Sequence, residues 1–417
     1  MQINNNKKTE AIMFQKILSL NETMLKFAIS LILFMLVQQI MPLPYMDEPF
    51  HIPQAKRYCE WEFSWDPKIT TPPGLYYLSL ALSPLQGCSI LSLRLTNVIL
   101  GGFKLYLLKV LNVEWLYLMP ISFFYHHLYY TDTLSELLML LSYYGVIKQS
   151  RLLVFLFGIA SIFIRQTNIV LLIWMIFYNI YKRNSHQLME FSIPVQHLTV
   201  KSTKKIIYGF ISIVFSNGAL DLLLLISSMI YIGYLVFKYG IVQGDNNNHV
   251  FSLHFPQFLY FNLTLFGLYL PSTLPNFSLK SILVLSVIVF PIIHYFTLHH
   301  PFILSDNRHL TFYFWKLLYK NLNVYKELLY SIVYSITLLS TYNTLKHYPL
   351  IPVVGYVLSL CLILIPSPLF EFRYFIFHLT IYGIEFHNPT TLNKLVYVLL
   401  NSFVFILFLC HPAHIMW

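Results

Sequence analysis

The feature that most constrains this fold is a succession of long apolar runs separated by short polar loops. Residues 27–41 form the first run. Later runs that could cross or nearly cross a bilayer lie at residues 73–85, 89–111, 116–128, 134–147, 152–181, 220–237, 256–271, 281–298, 329–345, 350–366, 369–384 and 395–410. About 20 apolar residues allow a helix to cross a bilayer, whereas open sheet edges cannot be satisfied in hydrocarbon. The sequence therefore predicts an all-α, polytopic membrane protein with about a dozen transmembrane helices.

The charge of the chain supports the same interpretation. Hydrophobic residues make up 57% of the sequence and charged residues only 11%, whereas a soluble domain carries about a quarter charged residues. The formal net charge of +10 comes mainly from Lys and Arg between the apolar runs, which favours membrane orientation over nucleic-acid binding. No loop is long enough to bury a core of its own. We therefore expect a single integral membrane domain over residues 1–417, with membrane lipids as partners and no nucleic acid.

The distribution of Lys and Arg predicts the orientation. The N-terminal tail and residues 182–205 are rich in Lys and Arg, while residues 240–255 contain neither. The positive-inside rule places the first two segments in the cytosol and the third on the opposite face. Counting spans brings residues 42–71, 299–320 and 371–374 to that opposite face as well. The polar loops with the most interesting chemistry thus gather on one side of the membrane.

The loop at residues 42–72 is the best candidate for a catalytic loop. Asp47, Glu48 and His51 place acid and base groups beside the predicted end of the first span. Several prolines interrupt the segment, and Pro53 suits the first turn of a short helix over residues 54–63. This leaves Asp47 and Glu48 on irregular backbone, where functional groups are common. We expect Asp47 to be a general base, positioned by Glu48 or His51; the alternative is a solvated turn that carries two carboxylates.

Other polar residues predict a surface that binds a sugar or a phosphate. Arg373, with Arg308 as a second candidate, would hold a phosphate, because the planar guanidinium fork matches its oxygens. The alternative for Arg373 is an ion pair with Glu371 or an interfacial position. Arg165 lies either in a cavity within a span or at a break between two short helices. Further candidate substrate-binding residues are Trp65, Asp245, His249, His254, Asp306 and His309.

The cysteines and histidines do not indicate a metal site. The four cysteines, Cys59, Cys88, Cys361 and Cys410, form no CxxC pair, so the spacing predicts neither zinc binding nor a disulfide framework. The His and Asp residues lack the regular spacing of metal ligands. We expect no metal and no cofactor.

A set of short strings is ordered along the chain from residue 44 to about residue 374. They are PYMDE at 44–48, FHIPQA at 50–55, WDPKITTPPGLY at 65–76, LRLTN at 93–97, RQTN at 165–168, HV at 249–250, HFPQ at 254–257, HPF at 300–302, DNRH at 306–309 and EFRY at 371–374. In these strings the chain resembles the dolichyl-phosphate-glucose-dependent alpha-1,2-glucosyltransferases.

This resemblance implies a GT-C-type membrane glycosyltransferase, multi-pass in the endoplasmic reticulum membrane, with its active site facing the lumen. The implied donor is dolichyl phosphate glucose. The implied acceptor is the diglucosylated dolichyl-diphosphate oligosaccharide, which receives its last glucose before N-glycosylation. The donor linkage is beta and the product linkage alpha, so the resemblance implies inversion in one displacement. Asp47 would then take the proton of the acceptor 2-hydroxyl, and Arg373 and Arg308 would stabilise the departing phosphate.

Composition alone would favour a transporter, a channel or a channel-associated subunit. Transporters typically show internal repeats and paired broken helices at mid-membrane, and the sequence shows neither pattern. The glucosyltransferase interpretation is therefore preferred.

The predicted orientation can be tested with engineered glycosylation sites. An Asn-X-Ser/Thr sequon placed near Ser64 should be glycosylated in microsomes, and one near Ser202 should not, because only the first would reach the lumen. Endoglycosidase-sensitive gel shifts measure both. The opposite pattern would overturn the orientation derived from the charges.

Overall fold

A computed structural model describes residues 2–186, 189–239, 250–269, 278–387, 390–411 and 414–417. Regular structure in these ranges is helical, and the only β pairing there is two isolated bridges, Pro194 with Pro349 and His309 with Met416. The α-helices are α1 (Gln2–Ile40), α2 (Glu48–Cys59), α3 (Gly74–Gln86), α4 (Ile90–Val110), α5 (Pro120–Tyr125), α6 (Thr131–Ile147), α7 (Arg151–Ile162), α8 (Asn168–Asn184), α9 (Val200–Ser216), α10 (Ala219–Tyr239), α11 (Pro256–Tyr269), α12 (Leu279–Phe296), α13 (Leu310–Leu318), α14 (Val324–Leu345), α15 (Leu350–Leu364), α16 (Ile376–Ile381) and α17 (Thr391–Cys410). The predicted all-α class is confirmed.

Four described helical segments are long and apolar enough to cross a membrane by themselves. They are Asn21–Ile40 within α1, Ile90–Val110, Leu279–Phe296 and Thr391–Cys410. A fifth is possible if α9 and the first part of α10, which meet at 78°, form one broken span. The structure thus shows a membrane protein with several apolar helices, and the count of about a dozen spans stays a prediction.

Several predicted runs are divided in the structure. Residues 152–181 split into α7 and α8, and residues 369–384 into a 3₁₀ turn (Phe372–Phe375), α16 and a π-helical turn (Tyr382–Phe386). The helix expected over residues 54–63 instead begins at Glu48, with Asp47 as its N-cap. Pro49 fits the first turn, where no helical hydrogen bond is lost. The expectation that Glu48 lies on irregular backbone was therefore wrong.

Buried polar contacts tie the helices together beneath the predicted catalytic loop. The Lys104 ammonium on α4 donates to Glu136 Oε2 on α6 at 2.6 Å, and both side chains are buried. Glu136 Oε1 accepts from Thr380 Oγ1 of α16 at 2.7 Å. Because an ionic group in an apolar interior needs a partner, this network fixes three helices relative to one another.

The helices α2 and α3 pack together in a separate cluster at the N-terminal end of α4. Ile52 and Tyr58 of α2 pack with Leu75 and Tyr76 of α3 in a buried cluster that also contains Leu93 of α4. A disulfide joins Cys59, at the end of α2, to Cys88, just before α4. The expectation that the cysteines form no disulfide was wrong: their separation of 29 residues carries no motif, and it is the reversal of the chain between α2 and α3 that brings them together.

The segment before α3 is anchored to the break between α7 and α8. Gly74 N donates to Phe163 O at 2.8 Å, and a Cβ atom at position 74 would lie 2.5 Å from that oxygen. Gln166 Nε2 donates to Thr70 O at 3.1 Å. Only glycine allows this close backbone approach, so the loop that follows α2 is held to the break that carries Arg165.

The disulfide predicts a shared stability effect for its two cysteines. Cys59→Ser and Cys88→Ser should each lower the free energy of unfolding by about 2–4 kcal/mol, and the double variant should lose no more than either single variant. Thermal unfolding in detergent, with thiol labelling under non-reducing conditions, measures this. Cys410→Ser, at a free and exposed cysteine, is the control. Additive losses from the two serine substitutions would contradict a bond between them.

Candidate active site

Asp47 is the N-cap of α2, but its carboxylate does not cap the helix. An N-cap Asp commonly accepts a hydrogen bond from the helix N–H groups, and no such side-chain bond is present in the described chain. Instead Oδ2 accepts from Nη1 of Arg373 at 2.7 Å, and the side chain is 34% exposed. Asp47 N donates to the Tyr130 hydroxyl at 3.0 Å. The carboxylate is therefore oriented, charged and reachable.

Arg373 lies between two carboxylates. It follows Glu371 at the start of the 3₁₀ turn, donates from Nε to Glu371 and from Nη1 to Asp47, and its side chain is 19% exposed. The ion pair of Arg373 with Glu371, one of the two sequence alternatives, is thus present, and Arg373 also contacts Asp47. No described residue accepts from Nη2, which leaves this part of the guanidinium fork for a further anion.

The electrostatics of the pair keep Asp47 ionised. Burial raises the pKa of the Asp47 carboxyl, but the Arg373 charge, the His51 ring and the Arg373 hydrogen bond together outweigh it and lower the pKa below its usual value. An opposite charge at this distance favours the charged form. Asp47 is consequently a carboxylate at neutral pH, ready to accept a proton.

Glu48 has a different environment from its neighbour. Its side chain is fully buried. Oε1 accepts from Arg94 Nε at 2.9 Å and from Tyr129 N at 2.7 Å, while Oε2 accepts from Arg94 Nη2 at 2.6 Å and from Tyr45 N at 2.9 Å. These donors occupy both oxygens away from solvent. This geometry favours a positioning role for Glu48 over proton transfer.

Arg94 connects α4 to the end of α1. Its Nη1 donates to Met41 O at 2.6 Å and to Gln38 Oε1 at 3.0 Å, and its Nη2 donates to Leu43 O at 2.9 Å. With Glu48 it therefore holds the end of α1, the segment before Asp47 and the start of α2 in one arrangement.

His51 lies one turn after Asp47 on α2 and faces Tyr76. Its Nδ1 is 2.6 Å from the Tyr76 hydroxyl, and only 8% of the residue is exposed. Burial lowers the pKa of His51 to about 4, despite the opposing charge of Asp47. The ring is therefore neutral at pH 7 and serves as a polar wall of the site.

Arg165 lies in the break between α7 and α8, as one of the two sequence alternatives predicted. Its Nη2 donates to Asp132 at 3.0 Å and its Nε to Thr131 Oγ1 at 3.3 Å. The Arg165 side chain is 17% exposed, whereas Asp132 is almost fully buried. This pair adds a second arginine to the side of the site that includes His51, whose pKa its charge lowers.

Arg308, Asp306 and His309 form another part of the site. Arg308 makes a fork with Asp306, with Nη2 to Oδ2 at 2.7 Å, and 42% of its side chain is exposed. Its guanidinium lies over the Tyr45 ring, 5.5 Å from the centroid. The hydrogen bonds from Arg308 lower the pKa of Asp306. This side of the site is thus close to the chain that leads into Asp47.

The remaining sequence candidates lie outside this group. His254 is fully buried at the start of α11, where its N–H donates to Ile365 O at 2.9 Å, so it does not line an open surface. The Trp65 ring is tilted against the Tyr76 ring, with the centroids 5.8 Å apart. Asp245 and His249 fall outside the described residues. Their roles stay predictions, as does the absence of a metal.

The sequence analysis missed Arg94 and Tyr130. Arg94 interrupts the apolar run 89–111, and the rule that an ionisable group within a span marks a partner or a cavity could have found it. Tyr130, which contacts the Asp47 N–H, is one of 31 tyrosines, and nothing in its local sequence distinguishes it.

These features define a helical membrane protein with a carboxylate–arginine site at the start of α2. The chain belongs to the DIE2/ALG10 family, whose model matches residues 41–384. No solved structure matches the chain.

Three curated relatives carry one name, Dol-P-Glc:Glc(2)Man(9)GlcNAc(2)-PP-Dol alpha-1,2-glucosyltransferase. The relative from Arabidopsis thaliana is 32% identical over 90% of this chain and 94% of its own length. The relative from Homo sapiens is 32% identical over 92% and 93%, and that from Drosophila melanogaster is 32% identical over 79% and 81%. The family match at residues 41–384 includes Asp47, Glu48, His51, Arg308 and Arg373.

The buried environment of Glu48 predicts a folding defect when its charge is removed. Glu48→Gln leaves the Arg94 charge buried without its counter-ion, so we expect a loss of about 3–5 kcal/mol in the free energy of unfolding. Adding Arg94→Met should restore part of it. Thermal unfolding in detergent measures both, with the exposed Glu60→Gln as the control. A Glu48→Gln protein that is as stable as wild type but inactive would instead assign proton transfer to Glu48.

Proposed function

We propose that this chain is a glucosyltransferase that moves glucose from dolichyl phosphate glucose onto the diglucosylated, dolichyl-diphosphate-linked oligosaccharide through an alpha-1,2 linkage. The observation that carries the proposal is the family match over residues 41–384, because it includes both Asp47 and Arg373. The relatives are named for this donor, this acceptor and this linkage. They give no support to the transporter or channel alternative.

The chemistry requires one base and one cationic clamp. The acceptor 2-hydroxyl oxygen attacks C1 of the donor glucose, and the bond between C1 and the phosphate oxygen breaks with its electron pair leaving on dolichyl phosphate. The hydroxyl proton passes to Asp47. A phosphate leaving group needs no proton, so one ionised carboxylate suffices for general-base catalysis. Asp47 suits this role because it is charged, partly exposed and fixed by contacts at both its N–H and its carboxylate.

Arg373 links the two halves of this reaction. It contacts Asp47 through Nη1 at 2.7 Å, so a phosphate bound to the rest of the fork would lie close to the base. Negative charge that develops on the leaving phosphate is stabilised by such a preorganised cation. Arg308, which is more exposed, supplies a second cation, and Arg165 a third near His51.

Two independent arguments support an active site in the lumen of the endoplasmic reticulum. Disulfides persist in oxidising compartments, and the Cys59–Cys88 bond starts from the last residue of α2, the helix whose N-cap is Asp47. The Lys- and Arg-rich residues 182–205 belong on the cytosolic side.

We also propose a GT-C-type architecture with about a dozen spans. Several of these would be short, since a helix such as α8, with 17 residues, is about 26 Å long against a hydrocarbon core of about 30 Å.

Asp47→Asn tests the proposed base. The amide keeps the size and most hydrogen bonds of the carboxylate but cannot accept the proton, so turnover should fall by roughly 10²-fold or more while protein level is maintained. Microsomes or purified protein, supplied with dolichyl phosphate glucose and diglucosylated acceptor, give triglucosylated product that can be quantified by mass spectrometry.

Glu60→Gln is the matched control, since this exposed carboxylate ends the same helix and should keep full activity. Because Arg373 lowers the Asp47 pKa, the acid limb of kcat/KM for wild type should lie below the usual range of a carboxyl group. Normal turnover by Asp47→Asn would exclude Asp47 as the base. Failure of wild type to form the product would exclude the proposed reaction.

A further inference from the structure

The described C-terminal residues 414–417 reach back to the active site after α17. The Tyr45 hydroxyl, two residues before Asp47, donates to His414 O. Met416 is fully buried, and the Trp417 ring lies edge-on to Phe372, with the centroids 5.7 Å apart. Phe372 directly precedes Arg373. This tail therefore contacts the chain on both sides of the Asp47–Arg373 pair.

The tail also fixes the segment that carries Arg308 and His309. Met416 N donates to Arg308 O at 2.8 Å, and Leu310 N donates to Met416 O at 2.7 Å, which makes a parallel bridge between His309 and Met416. Two main-chain hydrogen bonds set the register of this segment without depending on side-chain identity.

The segment has few other anchors of this kind. The strongest contact of Arg308 is with Asp306, only two residues away, so that ion pair shapes the segment but does not hold it to the rest of the protein. The Tyr45 ring beneath Arg308 is itself bonded to the tail. Tyr45, the tail and Arg308 thus form one closed set of contacts.

Trp417 further determines which tautomer the neutral His309 ring adopts. The Trp417 main-chain oxygen accepts from the Tyr125 hydroxyl at 3.2 Å and lies 3.1 Å from His309 Nδ1. A main-chain oxygen can only accept, so Nδ1 must carry the proton. In the neutral ring Nε2 then keeps its lone pair. His309 also lies close enough to Asp47 for a protonated His309 ring to lower the pKa of the Asp47 carboxyl.

We propose that residues 414–417 are a positioning element that holds Arg308 and His309 beside Asp47, with His309 Nε2 set to accept a hydrogen bond from a sugar hydroxyl. The positioning stands on the contacts alone, whereas the substrate contact rests on the proposed function. The competing explanation is that the tail only covers the end of α17.

Cysteine accessibility tests the positioning without any assay of activity. Thr311 is 6% exposed at the start of α13, so a Thr311→Cys probe reacts with a maleimide only when this segment detaches. The probe is placed in a Cys361→Ser/Cys410→Ser background. Removing Met416 and Trp417 should speed labelling by about tenfold or more, as expected for the loss of two main-chain hydrogen bonds.

Leu317→Cys is the matched control, because Leu317 lies on the same helix and is 76% exposed. Its labelling rate should be equal with and without the two residues. Unchanged labelling at position 311 overturns the positioning role, and an earlier thermal unfolding transition of the truncated protein in detergent shows general unfolding and overturns it as well.

Turnover then tests the substrate contact. The truncated protein should lose about tenfold or more in kcat/KM through misplaced groups, whereas Trp417→Phe, which keeps the main-chain oxygen and an aromatic ring on Phe372, should stay near wild type. If labelling is faster but turnover is unchanged, the positioning role of the tail is supported and the contact of this segment with substrate is overturned. If wild type forms no product, the proposed function fails, and the labelling result still decides the positioning.

Discussion

The buried ion pair between Arg94 and Glu48 is the contact on which the rest of the site depends. Both side chains are fully buried, and removing charges from water costs several kcal/mol for each ion unless geometry and hydrogen bonds repay it. Here Glu48 receives four donors, and Arg94 also binds main-chain oxygens at the end of α1. The pair therefore has one arrangement, and that arrangement fixes the direction in which the adjacent Asp47 points.

Two neighbouring carboxylates thus acquire opposite roles from their surroundings. The Glu48 carboxylate is buried and accepts hydrogen bonds from Arg94 of α4 and from the Tyr129 N–H. The Asp47 carboxylate is partly exposed and accepts a hydrogen bond from Arg373. Environment separates acid and base roles in this way in many enzymes. In this protein the separation follows from the geometry of the helix start: consecutive residues project differently, so only one can face α4 while the other faces the mouth of the site.

The sequence predicted the helical class and the residues that converge near Asp47, because apolar runs and isolated charges are local signals. Arg373, Arg308 and His309 stand out in that way. The contacts that organise them are distant in sequence, and no local pattern reports them: Arg94 reaches Glu48 across 46 residues, and Tyr45 reaches His414 across 369.

The predicted start of α2 was wrong because Pro53 lies inside the helix, where proline is unfavourable. Packing of α2 on α3 overrides that preference.

The bond between Cys59 and Cys88 has a consequence for how the chain threads the bilayer. Two bonded sulfurs share one compartment, so the chain between them must cross the membrane an even number of times. Only α3 lies between them, and its 13 residues span about 20 Å, short of a hydrocarbon core of about 30 Å. We therefore expect the apolar run at residues 73–85 to return to the side from which it started. The next helix long enough to cross is α4, and Arg94 lies in its first turns.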